Sequence, residues 1–449
     1  MNKPPSRRAS RFGGVVIFLA IIGAATLALA GPLNPPAGPV APTGKTTQEV
    51  FDKVTASEPR IAINATNTPG DANSVFKITQ PGSYYLTGSF TGVAGKRGIE
   101  ITSGNVTIDL RGFTLRGVPG SLDGIASTVP TLKSIVVRDG SLRDWGGDGV
   151  DLGTESTIAA RVEGVSCFSN DGAGVTVGNY GVVDRCQVDN CDGRGVAGAA
   201  ACTISRCVVS FSGLACFDLG SNSTISESTA QSGTNGFKLG VGSTARNCIS
   251  VFNTVSGFEI SSGTLTECVA TYNDGDGILA GDGCTITRCT AQFNDLSGIR
   301  ADIGSVISGC AAGFNKQHGI ITAGGCLISD SVCRANDLDG IQVSTGCTVR
   351  GNSSTSNGAD GDGAGIHATG TNNRIEANAC NSADRGIDID SPGNVVIRNT
   401  CSGNTVNWDI VAGNAVAQII LASTNAAPIV GNTYGGLLGS TDPNANFTY

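Results

Sequence analysis

The side chains able to do acid, base or metal chemistry are few, and they stand at recurring offsets. Asp123 and Asp148 each come immediately before a glycine, and Asp151 follows its glycine by two in WGGDGVDLG. Asp276 and His318 hold the same pre-glycine place further along, and Arg194 stands there two repeats after Asp148. If equivalent positions stack as neighbouring strands, such groups lie about 5 Å apart, close enough for carboxylates to act together. Histidine is confined to His318, in a turn, and His367, beside Ile366. Neither has a serine or cysteine nucleophile at the spacing a triad requires. Asp218, Lys238 and Glu259 alternate in sign at successive outward positions, an exposed ladder worth little per pair, and Arg300 and Asp388 extend it. GxGxxG-like strings arise from the repeat itself and precede no helix that could receive a phosphate.

What must position these residues is a repeat. A glycine, or a substitute for it, followed by Ile, Val or Phe returns at fifteen positions from Gly98-Ile99 to Asp409-Ile410, at intervals of 20 or 21 in the middle and 25 or 26 near the start. That period is too short for paired helices, and each unit carries two or three short β-like runs between turn residues, as in LSGIRADIGSVISGCAAGFN. Stacked units of this kind form a parallel β-coil, about 70 Å long for fifteen coils at ~4.8 Å each. Glycine serves where a turn needs positive φ or a backbone approaches closely, and the bulky residue after it points inward.

Other columns keep the same register. Asn253, Asn273, Asn294, Asn315 and Asn336 stand four before the glycine, suited to an amide ladder. Phe252, Tyr272, Phe293 and Phe314 come one residue earlier and form a stacked aromatic column, while Phe217, Phe237 and Phe258 form an interior stack. All 16 cysteines lie between Cys167 and Cys401, and they exchange with serine in phrases such as CTISRC and STISES. Export permits disulfides. In-register strands nevertheless aim their Cβ vectors side by side, so buried thiols are expected instead of bridges. Cysteines spread along a solenoid do not converge as a metal site.

Composition agrees with one repetitive architecture: 65 glycines in 449 residues, with 5% aromatics and 40% apolar residues. Collagen is excluded, since glycine does not recur every third residue. The first thirty residues hold Lys3, Arg7, Arg8 and Arg11, then an apolar run from Val15 to Leu29 ending in Ala28-Leu29-Ala30, which reads as a cleavable secretory signal. Its removal leaves 25 basic against 37 acidic residues, a balance of −12. That charge repels phosphate backbones and excludes nucleic acid as a partner. Residues 31–45 read as a Pro/Gly/Ala linker, and Thr46-Thr47-Gln48-Glu49 as the cap of a short helix. Residues 46–92 form an N-terminal cap with leading strands, 93–410 the β-helix and 411–449 a C-terminal cap.

The repeat resembles the right-handed parallel β-helix proteins of the pectin-lyase-like superfamily over roughly residues 93 to 410. The leading segment TNTPGDANSVFKITQPGSYYLTGSF and the ending NTVNWDIVAGN resemble a secreted bacterial group without an assigned activity. The expected fold is therefore all-β: a single-stranded right-handed parallel β-helix of about 15 coils with 20–26 residues each. The resemblance implies several chemistries and settles none. By likeness to pectate lyases, Asp123, Asp148 and Asp151 would hold Ca²⁺ through oxygen ligands. Arg194 is then the nearby base able to take a sugar C5 proton. By likeness to polygalacturonases, Asp276-Gly277 and His318-Gly319 match two motif elements and Arg374-Ile375 part of a third. The paired aspartates fail: Ser297-Gly298 stands there with Asp295 displaced, and Glu376 replaces the lysine. Glycoside hydrolysis needs two carboxylates at a set separation. The expectation is an exported surface or periplasmic protein that binds polysaccharide or acts as a structural scaffold, requiring no cofactor. A polysaccharide lyase or glycoside hydrolase is the alternative.

Overall fold

The computed structural model describes residues 46–47, 49–50, 53, 59–153, 158–358, 361–422, 428, 430–431 and 441–449. The expected signal and linker lie outside these residues. Contacts divide the chain into residues 1–59 and 60–449. In the first unit Thr46 N donates to Glu49 Oε2 at 2.8 Å and Glu49 N to Thr46 Oγ1 at 3.1 Å, the reciprocal capping box read from the sequence. Among the described residues no helix is long and apolar enough to cross a membrane.

The second unit is a parallel β-helix, with the right-handed connections that parallel crossovers adopt. One 16-stranded sheet takes a single strand from each coil, from Ser74–Ile78 to Val406–Ile410, and a 32-stranded sheet is built from the remaining strands. The bulky residues after each glycine pair directly, Ile99 with Ile125 and onward through Phe217, Phe237 and Phe258 to Ile366 and Ile387. All of these are fully buried. Two details differ from the sequence reading. A further coil precedes Gly98, because Phe76 pairs with Ile99. At the other end Trp408, not Ile410, faces Ile387, which puts Asp409 in the outward column opposite Asp388.

Close approach, not positive φ, is what requires glycine before these strands. A Cβ on Gly298 would lie 2.7 Å from the carbonyl oxygen of Gly319, the oxygen that accepts the Ile299 N–H at 2.9 Å. Left-handed backbone occurs elsewhere in the coil, on residues that include Phe252, Tyr272, Phe293 and Phe314 at φ 55–57°. Their rings stack at 4.9–5.3 Å between centroids, with the Arg334 guanidinium over the end of the stack at Phe314. The ring faces therefore cover one another and offer mainly edges to solvent. The interior Phe217, Phe237 and Phe258 stack is likewise present.

The turns are held by side chains that accept the backbone N–H of the preceding coil. Asn315 Oδ1 accepts both Asn294 N at 3.1 Å and Asn294 Nδ2 at 3.0 Å, and Asn315 Nδ2 donates to Asn336 Oδ1 at 2.9 Å and Ala291 O at 3.2 Å. Cysteine, serine and asparagine interchange in the other columns because each brings a small acceptor to the same N–H. Cys310 N donates to Ser331 Oγ, Ser331 N to Asn352 Oδ1, and Cys326 N to Cys347 Sγ. All sixteen cysteines are buried free thiols. Burial pushes the Cys216 thiol up to about 11.

Two substitutions check this reading. Asn315→Ala orphans several buried groups at about 1–3 kcal/mol each, so hydrogen exchange should show local opening centred on the Asn294 and Asn336 coils. Ser331→Ala should cost about 1–3 kcal/mol by leaving Cys310 N–H unpaired. Ser331→Cys, which restores an acceptor, should cost clearly less in the same denaturation assay.

Candidate functional site

A diagonal rule governs polar groups on the outer face of the 16-stranded sheet. The residue before the glycine in one coil bonds the outward residue of the next coil's strand. Asp148 Oδ2 accepts from Thr176 Oγ1 at 2.7 Å, Asn235 Nδ2 donates to Glu259 at 2.9 Å and Arg300 Nε donates to Asp276 Oδ2 at 2.9 Å. Arg194 Nε reaches Asp218 Oδ2 at 2.5 Å in the same way. Most residues singled out from the sequence are engaged by these bonds.

Asp123 accepts Asp148 N at 3.0 Å and pairs with Arg97 at 3.1 Å. Asp148 also accepts Ala173 N, and Asp151 accepts Gly153 N. Burial raises both of the latter carboxyls against those bonds, Asp151 to about 6. Asp123, Asp148 and Asp151 do not bring three ligand atoms together at metal-binding distance. Arg194 is held by Asp218 in the coil beyond, and its charge reaches the Asp148 carboxyl, which it lowers. Asp276 is buried, capping Ser297 N at 2.9 Å. Ser297 separates it by a full coil from His318 in the pre-glycine column.

Where the rule reaches the last coils it assembles a cluster that the sequence reading did not. Both histidines of the chain converge on buried Asp339, with His318 Nδ1 at 3.3 Å and His367 Nδ1 at 3.0 Å from Oδ2. Asp339 Oδ1 accepts Ala364 N at 2.7 Å. The other imidazole nitrogen of His367, Nε2, lies 3.0 Å from Asp390 Oδ2. Gln342 Nε2 donates to Asp339 at 3.2 Å, and Gln342, His367, Asp388 and Asp409 are register neighbours in the outward column. Arg385, before the next glycine, pairs with Asp362 at 2.5 Å and Asp409 at 3.1 Å and lies 3.6 Å from Asp388.

Electrostatics follow from this packing. Burial alone would lower the His367 imidazole, but the Asp339 and Asp390 carboxylates outweigh it and raise it to about 9. Burial would raise Asp339, yet the neighbouring His318 and His367 imidazoles and the Ala364 N–H hold it below the usual carboxylate range. Burial raises Asp388, against the nearby His367 and Arg385 charges. At neutral pH His367 is therefore an imidazolium, fitted to donate hydrogen bonds and not to abstract a proton. His367, Asp388 and Asp390 each bring one ligand atom to a group all within 4.8 Å of one another, with Nε2 the nitrogen on the Asp390 side.

The cluster lines a cleft of about 280 Å³ with Asp362, Arg385, Asp409 and Val411. A second depression of about 300 Å³ adjoins it, running from Arg300 through Ile321 and Gln342 to Thr369. Together they follow six consecutive strands of one sheet, about 24 Å at the interstrand spacing.

No protein-family model matches the chain, and no curated protein matches it. Among solved structures it is similar to the A-module of the Azotobacter vinelandii mannuronan C-5 epimerase AlgE6, at 16% identity and a TM-score of 0.36, over 75% of this chain and 89% of that one. It is also similar to the periplasmic alginate epimerase AlgG, at 12% identity and a TM-score of 0.34, over 81% and 83%. A mannuronic acid specific polysaccharide family 6 lyase from human gut microbiota gives 13%, 0.35, 70% and 81%. Values this low leave the fold resting on the register above and the chemistry on the cluster's own residues.

The charge state is open to a direct check. In metal-free protein the His367 ring should titrate by NMR near pH 9, and Asp339→Asn should bring it down toward the ordinary 6.5. Because the folded value is raised, the stabilisation is complete below about pH 6.5 and is lost as pH rises through about 9. A wild-type ring titrating at 6.5 would contradict the double carboxylate clasp.

Proposed function

We propose that this protein is an exported glycan-binding β-helix that holds a linear polysaccharide along the 16-stranded sheet, from Arg300 to Val411. The observation carrying this reading is the pair of neighbouring depressions that together span six strands, the second of them lined by the His367, Asp388, Asp390 and Arg385 cluster. Its length suits an extended polymer better than a small molecule. Its lining supplies what sugar hydroxyls need: carboxylate acceptors, guanidinium donors and the amide of Gln342.

Binding is favoured over turnover by the placement of His367. A lyase or epimerase needs a group able to take a proton, and in the metal-free protein both imidazole nitrogens are turned to carboxylates, Nδ1 to Asp339 and Nε2 to Asp390, each at 3.0 Å, which leaves neither open to a sugar proton. With five carboxylates around Arg385 and His367, the groove's acidic end suits neutral or hydroxyl-rich sugars.

Affinity electrophoresis against neutral and uronic acid polymers, with parallel assays for new reducing and unsaturated ends, tests the proposal. Retardation without new chain ends is expected. Arg385→Ala and Gln342→Ala should each weaken binding tenfold or more, and Lys238→Ala, upstream on the same sheet, should leave it unchanged. Equal retardation of all three variants, or no retardation by any linear polymer, would remove this function. Chain cleavage would replace it with catalysis.

A further inference from the structure

The cluster at the end of the groove has the makings of a metal centre that does not depend on the glycan reading. We propose that His367 Nε2 and the carboxylates of Asp388 and Asp390 bind one divalent cation of the zinc class, with Asp339 as the outer carboxylate that fixes the imidazole.

Geometry is the first argument. The three ligand atoms lie within 4.8 Å of one another. Ligands placed tetrahedrally around one zinc ion at about 2.0–2.2 Å stand about 3.3–3.6 Å apart. His367 Nε2 and Asp390 Oδ2 are already 3.0 Å apart, and drawing in the third ligand takes about 1 Å of side-chain movement, for which the half-exposed Asp390 has room. The second argument is orientation. Asp339 accepts from His367 Nδ1 at 3.0 Å and is itself anchored by Ala364 N, so Nε2 is the nitrogen turned toward Asp388 and Asp390. A carboxylate behind a ligating histidine is the arrangement that tunes metal affinity.

The third argument is Asp388 itself. It is only 9% exposed and accepts no hydrogen bond from the described residues; its nearest cationic atom is Arg385 Nε at 3.6 Å. A largely buried carboxylate whose one cationic neighbour stands beyond hydrogen-bond distance, and which opens onto the cleft, is placed to take a cation shared with Asp390 and His367. The mixed nitrogen and oxygen set selects zinc-class ions over Ca²⁺ and Mg²⁺, which favour oxygen alone. Three protein ligands beside an open cleft leave a position for an outside oxygen ligand.

Calorimetry of the chelator-stripped full chain with Zn²⁺, Ca²⁺ and Mg²⁺ tests the proposal without any polysaccharide, and the visible spectrum with Co²⁺ identifies the donors. One Zn²⁺ per chain is expected, bound at least tenfold more tightly than Ca²⁺, with a Co²⁺ spectrum free of thiolate charge transfer. His367→Ala should abolish binding, and Asp339→Asn should weaken it about 10–100-fold. Asp390→Asn changes a half-exposed side chain, so it tests the site even if the buried variants fold poorly, and it too should weaken Zn²⁺ binding. No zinc binding, zinc affinity unchanged in Asp390→Asn, a thiolate band, or equal affinity for Ca²⁺ would each overturn the assignment. Failure here leaves the glycan assay standing, and loss of glycan binding leaves this one standing.

Discussion

The molecule rests on one requirement: where a turn buries a backbone N–H that no carbonyl reaches, it must find another acceptor. At many of the turns a side chain of the next coil supplies it. Asparagine does so with an oxygen for the N–H and an amide that reaches the following asparagine, as Asn273, Asn294 and Asn315 do in succession. Serine and cysteine do so with Oγ or Sγ, as at Cys284 with Ser305 and Cys326 with Cys347. An unpaired buried N–H is costly, so each coil depends on its neighbour, which keeps the stack in one register. Cysteine in this chain is thus a small buried acceptor, and its abundance needs no redox or metal role.

Strict register has a consequence for chemistry. Once interior and turns are committed, functional variation is left to positions that face outward or flank the strand. On the 16-stranded sheet those positions are linked diagonally, and along most of its length the links close on themselves, as Asp276 does with Arg300. At the last coils the links overlap. Asp339 takes two histidines and a glutamine, while Arg385 is shared among Asp362, Asp388 and Asp409. The site is a local crowding of an otherwise pairwise pattern.

The fold was readable because its determinants repeat: the glycine columns, the Asn253 to Asn336 ladder and both aromatic stacks all stand where their spacing places them. The role of glycine needed narrowing, to close approach, a coil had to be added before Gly98, and the last strand needed a shift of two residues, since Trp408 takes the inward place of Ile410. The cluster was hidden for a different reason. His318 and His367 belong to different columns, and their common partner Asp339 belongs to the pre-glycine one. The sequence reading compared residues within columns, so Asp123 was set beside Asp148 and Asp276 beside His318. His318 and Asp339 do share the pre-glycine column in successive coils, but the other contacts on this face run between columns, one coil on. The signal was nevertheless present: His367 falls 28 residues after Asp339, matching the 28 between Asp148 and Thr176. That longer offset arises because the coil from Ile341 to Ile366 has 25 residues where its neighbours have 21.

The most direct measurement is carboxyl footprinting of the full chain, by carbodiimide labelling read by mass spectrometry, with and without a bound linear polysaccharide. If the groove is the working face, labelling of Asp362, Asp390 and Asp409 falls on binding, while that of Asp218 and Glu259 on the same sheet stays constant. Protection that spreads evenly along the sheet, or that falls on Asp218 and Glu259 and spares the last coils, would contradict the account.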